Sequence, residues 1–215
     1  ANYSKLISKQ NYNVLISRNT ENSLMQIRID NTYINYALEN AYSSDVDVID
    51  GKDQVIVFKD IQDSVDLRYT LKKEEIKEDI ILKNLTQNRF RFILDTENVK
   101  IVKREDGSYR ISNIMNESLD GILHKPFMYD ALNQTSQAID VSLEAEESNI
   151  FINLVADYSW LEKASYPVVI DPTFSIFANS TNSFSCRKNN VTMDCSPAVN
   201  NLTIGCNDDA AVLDF

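Results

Sequence analysis

The chain of 215 residues carries 32 acidic and 21 basic side chains, a formal net charge of −11, and its isoelectric point is near 4.6. This balance argues against nucleic acid as a partner, because binding to phosphates depends on a patch of Lys and Arg. The length can bury a core without disulfides, and 43% of the residues are hydrophobic, which excludes a disordered chain. There is no apolar run of about 18 residues, so we predict no membrane-spanning helix.

The opening ANYSKLISKQ lacks the apolar core of a signal peptide, and we interpret the chain as a mature or excised fragment. Residues 24–29 and 32–38 flank Asp30-Asn31 and predict a β-hairpin. Asp50-Gly51 predicts another between residues 45–49 and 54–59.

Residues 54–94 form the centre of the predicted sheets. Apolar side chains alternate with polar ones there at the two-residue period of half-buried strands, and Arg68, Arg89 and Arg91 take solvent-facing positions. Residues 71–85 are ambiguous, because LKKEEIKEDIILKNL is rich in helix formers. We prefer a strand over residues 76–83, since its neighbours on both sides are strands.

The pattern continues with a hairpin around Glu105-Asp106-Gly107 and with strands at residues 138–143 and 150–155. One short helix is predicted at residues 157–164, where Asp157 can cap the first turn. The sequence therefore predicts an all-β fold of antiparallel, sandwich-like sheets with a single short helix.

A change of composition at Pro172 predicts a domain boundary. All three cysteines follow it, in a stretch rich in Ser, Asn and Thr. We predict one antiparallel β domain over residues 1–172 and the start of a second, truncated β module over residues 173–215.

Candidate catalytic groups are sparse. His124 is the only histidine and has no nucleophile motif beside it, so a structural or surface role is favoured. The acidic residues 45–53 do not match a calcium loop, and His and Cys match no zinc spacing. Paired carboxylates are expected to be exposed in charged turns: Glu74-Glu75, Glu78-Asp79, Glu146-Glu147 and Asp208-Asp209. We predict no catalytic residue, no metal and no cofactor.

The cysteines Cys186, Cys195 and Cys206 lie close together in the sequence, near two Asn-x-Ser/Thr triplets, which fits an oxidising compartment. The candidate disulfide joins Cys186 and Cys195 and leaves one thiol over. The odd count leaves the pairing open.

Four segments occur together in order: SVDLRYTL, IKEDIILKN, KPFMYDA and SWLEKASYPVVIDPT. Together they resemble the N-terminal β region of wall-associated, YD-repeat (Rhs-like) secreted bacterial proteins. The tail, NLTIG followed by AVLDF, is similar to the opening strands of the DNRLRE-type β-sandwich module, whose relatives include carbohydrate-binding modules. The resemblance implies an extracellular or wall-attached chain whose β modules serve as scaffold or adhesive parts.

We therefore expect a non-enzymatic structural or adhesion module of a larger bacterial surface protein, secreted or held at the cell surface. Its expected partners are polysaccharide or cell-wall components and neighbouring domains, with no nucleic acid. The alternatives are a carbohydrate-active hydrolase that uses paired carboxylates, and a shell or processing domain of a secreted toxin.

Overall fold

The computed structural model of the chain describes residues 3–9, 12–29, 32–96, 99–113, 120–146, 149–177, 184–188 and 193–197. The contacts divide the chain into two compact units, Ala1–Phe177 and Ala178–Phe215. Within the described residues, no helix is long and apolar enough to cross a membrane.

Strands dominate the described residues, and one short helix accompanies them. In chain order they are β1 (Tyr3–Ser8), β2 (Asn13–Ser17), β3 (Met25–Ile29), β4 (Thr32–Leu38), β5 (Val46–Ile49), β6 (Gln54–Gln62), β7 (Val65–Leu71), β8 (Glu75–Leu82), β9 (Arg89–Thr96), β10 (Val99–Lys103), β11 (Tyr109–Asn113), β12 (Asp120–Leu123), β13 (Phe127–Tyr129), β14 (Thr135–Ser136), β15 (Ile139–Glu146), β16 (Asn149–Ala156), α1 (Tyr158–Leu161), β17 (Val168–Asp171), β18 (Phe174–Phe177), β19 (Phe184–Lys188) and β20 (Met193–Pro197). The predicted all-β fold with one short helix is confirmed.

Two antiparallel sheets make up the first unit. The first sheet has the strand order β1-β2-β3-β4-β9-β16-β15. The second has the order β10-β11-β12-β18-β8-β17-β13-β14, and the meander β5-β6-β7 joins it at β8. A single hydrophobic cluster contains inward-facing residues of both sheets, among them Leu38 and Phe92 from the first and Phe58 and Leu67 from the second. Burial of each such side chain contributes about 1.5–3 kcal/mol, so this cluster is the main source of stability.

The ambiguous segment at residues 71–85 contains strand β8, which confirms the strand interpretation. Strand β8 pairs with β7 along one edge, and with β17 and β18 along the other. Val168 lies opposite Leu82 and Phe174 opposite Ile76, so β17 and β18 continue the same antiparallel register along β8. Pro172, between β17 and β18 in the chain, interrupts their pairing with β8, because it has no backbone N–H to donate to the ladder.

The helix lies where the sequence predicts it. The side chain of Asp157 accepts a hydrogen bond from the backbone N–H of Ser159 and caps the first turn. Leu161 is buried in the core, and Trp160 packs against the core from a partly exposed position.

The compact units divide after Phe177, a few residues beyond the predicted boundary. Strand β18 pairs with β12 and β8 and so belongs to the first unit. In the second unit, β19 and β20 form a two-stranded antiparallel sheet. That residues 173–215 begin another β module stays a prediction.

Candidate functional site

All four sequence segments singled out above meet on neighbouring strands. SVDLRYTL forms β7, IKEDIILKN forms β8, SWLEKASYPVVIDPT supplies β17, and KPFMYDA supplies β13, which pairs with β17. The chain crosses Asp171-Pro172-Thr173 beside the middle of β8, so the charged residues of β8 face a stretch that lacks regular pairing. Two groups of polar side chains gather there, one on each face of the strand.

The first group is an ion-pair cluster formed by Arg68, Lys77, Asp79 and Asp171. The Lys77 ammonium contacts Asp79 and lies 2.9 Å from Oδ2 of Asp171. The Arg68 guanidinium donates two hydrogen bonds to Oδ2 of Asp79, from Nε at 2.9 Å and from Nη2 at 2.7 Å. The side chains of Asp79 and Asp171 are only 2% and 4% exposed. Two cations thus balance two buried carboxylates, as burial of charge requires.

The two carboxylate partners of Lys77 stabilise its protonated, cationic form. Burial by itself lowers the pKa of this ammonium, but its contacts with Asp79 and Asp171 outweigh burial, and the pKa is raised overall. Lys77 therefore stays cationic at neutral pH and is not a candidate general base.

The second group lies on the opposite face of β8 and consists of Glu78, Tyr36 and Tyr69. Tyr69 Oη donates to Oε1 of Glu78 at 2.5 Å, and Tyr36 Oη donates to Oε2 at 3.0 Å. Burial raises the pKa of Glu78 to about 8, although the two tyrosine hydrogen bonds act in the other direction. Burial also raises the pKa of both tyrosines. Glu78 is therefore mostly protonated at pH 7.

A cavity of about 40 Å³ adjoins Glu78. Side chains of both sheets line it, including Met25 and Leu94 from the first sheet and Ile76 from the second, and Pro172 closes part of its wall. The surroundings are almost wholly apolar, which accounts for the neutral form of the acid. This volume has room for little more than a water molecule.

A larger polar groove of about 570 Å³ opens at one end of the first sheet. Arg91 lies in its wall, 3.0 Å from Glu39 and 3.4 Å from Glu144, and its guanidinium carbon stacks 3.9 Å above the ring of Phe151. Arg89 is exposed in the same wall. The volume suits a small polar ligand or part of a larger one.

Most of the remaining candidate residues are surface groups. His124 is exposed, and Nε2 lies 2.8 Å from the hydroxyl of Ser175. Asp47 and Asp50, of the acidic segment 45–53, pair with Lys59 and Lys5. In the part of the chain that the structure describes, no three His, Cys, Asp or Glu side chains gather in a way that could hold a metal ion.

The prediction that adjacent carboxylates are exposed is wrong for Glu78 and Asp79, which are 5% and 1% exposed. They lie in the middle of β8 instead of a turn. Glu74 is exposed in the turn, as expected, and pairs with Lys73. Glu75 is the half-buried first residue of β8 and pairs with Lys72. Glu146-Glu147 and Asp208-Asp209 lie outside the residues whose side chains are described, and so do Cys186, Cys195 and Cys206.

No protein-family model matches the chain, and no solved structure matches it. Three curated bacterial proteins do. The chain is similar to tRNA nuclease WapA of Bacillus subtilis, to tRNA(Glu)-specific nuclease WapA of Bacillus subtilis subsp. natto and to tRNA3(Ser)-specific nuclease WapA of Bacillus spizizenii. In each comparison 33% of residues are identical over 135 residues, which is 58% of this chain. The chain spans about 6% of the length of these relatives.

These relatives overturn several predictions made from the sequence. The predicted kinship with YD-repeat (Rhs-like) proteins and DNRLRE modules is wrong, because the relatives found are WapA nucleases and neither kind of module is supported. The predicted non-enzymatic scaffold or adhesion role is wrong, because the relatives are named as enzymes. The carbohydrate-active hydrolase alternative is wrong because the relatives are named for tRNA, and the toxin-shell alternative is only weakly related to these names.

The exclusion of nucleic acid as a partner is wrong as well, because tRNA is in the name of each relative. The net charge of −11 was the basis of that exclusion. This charge describes a chain that spans about 6% of the length of such a relative, and it carries no information about the charge of the remaining length. Carbohydrate binding and adhesion receive no support. The predicted bacterial, secreted or surface-located class agrees in outline with the WapA relatives.

Proposed function

We propose that this chain is part of a bacterial tRNA nuclease of the WapA kind, so that the polypeptide containing it cleaves tRNA. The observation that carries the proposal is the 33% identity over 135 residues to three proteins that are each named as tRNA nucleases. An identity of this level over most of a β domain supports common descent of the segment, and the activity follows as a proposal for the whole polypeptide.

The described domain contributes a two-sheet body with a polar groove around Arg91. The titratable groups on β8 are already bound within the domain: buried Glu78 accepts hydrogen bonds from two tyrosines, and the half-buried, cationic Lys77 is paired with two carboxylates. The polar groups that face solvent around the groove, Arg89 and Glu144 among them, are the ones that this domain offers to a ligand.

We further propose that the polypeptide is exported and acts at or beyond the cell wall. The WapA relatives support an extracellular class of protein, and the cysteines concentrated in the second unit suit an oxidising compartment. Fractionation of the native host tests this: the polypeptide is expected in the wall or medium fraction, and its confinement to the cytoplasmic fraction would contradict the proposal.

The activity is tested with the native polypeptide that contains this sequence, purified and incubated with total tRNA. We expect discrete tRNA fragments on a denaturing gel while 5S ribosomal RNA in the same reaction stays intact. Intact tRNA at an equimolar concentration of the polypeptide would overturn the proposal. The 215-residue chain assayed in parallel distinguishes chemistry within this segment from chemistry elsewhere in the polypeptide.

A further inference from the structure

We propose that Cys186 and Cys195 form a disulfide that closes the hairpin of the second unit, with the thiol of Cys206 left over. The sequence leaves the pairing of the three cysteines open. The strand register separates the alternatives, because β19 and β20 pair antiparallel with Cys186 directly opposite Cys195, in the middle pair of the ladder.

The backbone spacing of such a pair meets the requirement of a disulfide. Residues directly opposite each other in an antiparallel ladder have Cα atoms about 4.5 to 5.5 Å apart, depending on the hydrogen-bonding pattern. Disulfides usually join Cα atoms about 4.4 to 6.8 Å apart. Both kinds of ladder pair fall inside this range, so the bond needs no large backbone movement.

The cysteines are distributed unevenly between the two units. The first unit has a large hydrophobic cluster between two sheets and contains no cysteine. All three cysteines lie in the second unit, where the described strands β19 and β20 form a two-stranded sheet. A two-stranded hairpin by itself is marginal in water, so a bond between opposite residues of β19 and β20 would stabilise their pairing.

The chemistry balances as a two-electron oxidation. The Cys186 thiolate attacks an oxidised disulfide, either of a thiol–disulfide oxidoreductase or of a small-molecule disulfide, and a mixed disulfide forms as one thiolate leaves. The Cys195 thiolate then displaces the second sulfur. The two thiols of the chain lose two protons and two electrons, and the oxidant disulfide is reduced to two thiols.

The test uses the full chain, equilibrated in a glutathione redox buffer and then treated with an alkylating reagent without reduction. Trypsin cuts after Arg187 and Lys188 and so separates Cys186 from the other two cysteines, which stay together on the peptide 189–215. We expect the peptide 164–187 to be linked to 189–215, and fragmentation to place the alkyl group on Cys206. Alkylated Cys186, or a Cys186–Cys206 link, would overturn the proposal.

Denaturation provides an internal control, because Cys195 has similar sequence spacings to Cys186 and Cys206. In urea, the entropy of loop closure alone predicts comparable amounts of the Cys186–Cys195 and Cys195–Cys206 links. Under native conditions we expect the Cys186–Cys195 link almost exclusively. The same mixture with and without urea would contradict selection by the strand register.

Two variants complete the test. Cys206→Ser is expected to keep the native link at the wild-type level, whereas Cys195→Ser is expected to leave Cys186 alkylated. Loss of the link in Cys206→Ser would overturn the assignment.

Discussion

Tyr36 on β4 donates a hydrogen bond to Glu78 on β8 across the space between the two sheets, with 3.0 Å between Oη and Oε2. Tyr69, beside Glu78 on the neighbouring strand β7, donates the second bond. A protonated carboxyl thus ties the two sheets together at the centre of an apolar core. Its charge state, and therefore the strength of this contact, depends on pH.

Replacement Glu78→Gln is expected to remove one component of the pH dependence of folding. The folded chain holds the pKa of Glu78 at about 8, whereas the ordinary value is 4.5. Between these values the folded state keeps a proton that the unfolded state releases. The stabilisation is therefore complete below about pH 4.5 and is lost as the pH rises towards 8, with a slope of at most about 1.4 kcal/mol per pH unit.

Urea denaturation of both chains at several pH values from 5 to 9 measures this effect as the difference between their free energies of unfolding. All other titrations cancel in that difference. Parallel stability curves for the two chains would show that Glu78 is already ionised in the folded state.

Replacement Tyr69→Phe removes the hydroxyl that lies 2.5 Å from Glu78 and keeps the ring, which packs edge-on against Phe58. We expect a loss of about 1–2 kcal/mol in the free energy of unfolding, because a buried acceptor loses a donor. The pKa of Glu78 should rise further, since this hydrogen bond acts to lower it. Tyr158→Phe, at a site that is 54% exposed, is the matched control and should change neither quantity. Equal effects of the two variants on urea denaturation would contradict a stabilising hydrogen bond from Tyr69 to Glu78.

How much of this arrangement the sequence could predict depends on the range of the interactions. Alternation identified β6, β7 and β9, and the strand neighbours on both sides settled β8, because these signals are local. The cap at Asp157 is local too. The burial of Glu78 and Asp79 could not be predicted in this way. It arises because strands β17 and β18, far along the chain, pair with the second edge of β8.

A weaker signal for the ion-pair cluster was present. Arg68, Lys77 and Asp79 occupy alternating positions of adjacent predicted strands, which indicates a shared face. Their partner Asp171 belongs to a segment that was noted for its resemblance, and only the strand register brings it beside Lys77. The groove around Arg91 is lined by residues of four strands and three loops, so no local pattern could reveal it.

Replacement Lys77→Met should destabilise the domain by about 3 kcal/mol, because it leaves Asp79 and Asp171 buried with one cation fewer. Lys73→Met is the matched control: the 3.9 Å pair with Glu74 is exposed on both sides, and such pairs contribute little. Thermal and urea denaturation of both variants check this difference. Equal stability of the two would mean that the Lys77 cluster is solvated.

Replacement Gly121→Ala tests the close approach of β12 to β18. A methyl group there would lie 2.5 Å from Cζ of Phe174 and 3.0 Å from the backbone oxygen of Ser175, so a strand or a ring must shift. We expect a cost of about 1–3 kcal/mol, as for other overpacked sites. Gly51→Ala, whose added methyl group meets its nearest neighbour at 3.4 Å, should cost far less. Unfolding midpoints that rank the two variants in the opposite order would contradict the packing of β12 against β18.

The central claim is that the polypeptide containing this chain cleaves tRNA. The most direct measurement is sequencing of tRNA ends in recipient cells that express the native polypeptide in their cytoplasm, compared with cells that express an unrelated polypeptide of similar size. The account predicts new 5′ and 3′ ends at one defined position within one tRNA or a few tRNAs. An unchanged distribution of tRNA ends, with the polypeptide shown to be soluble and intact, would contradict it.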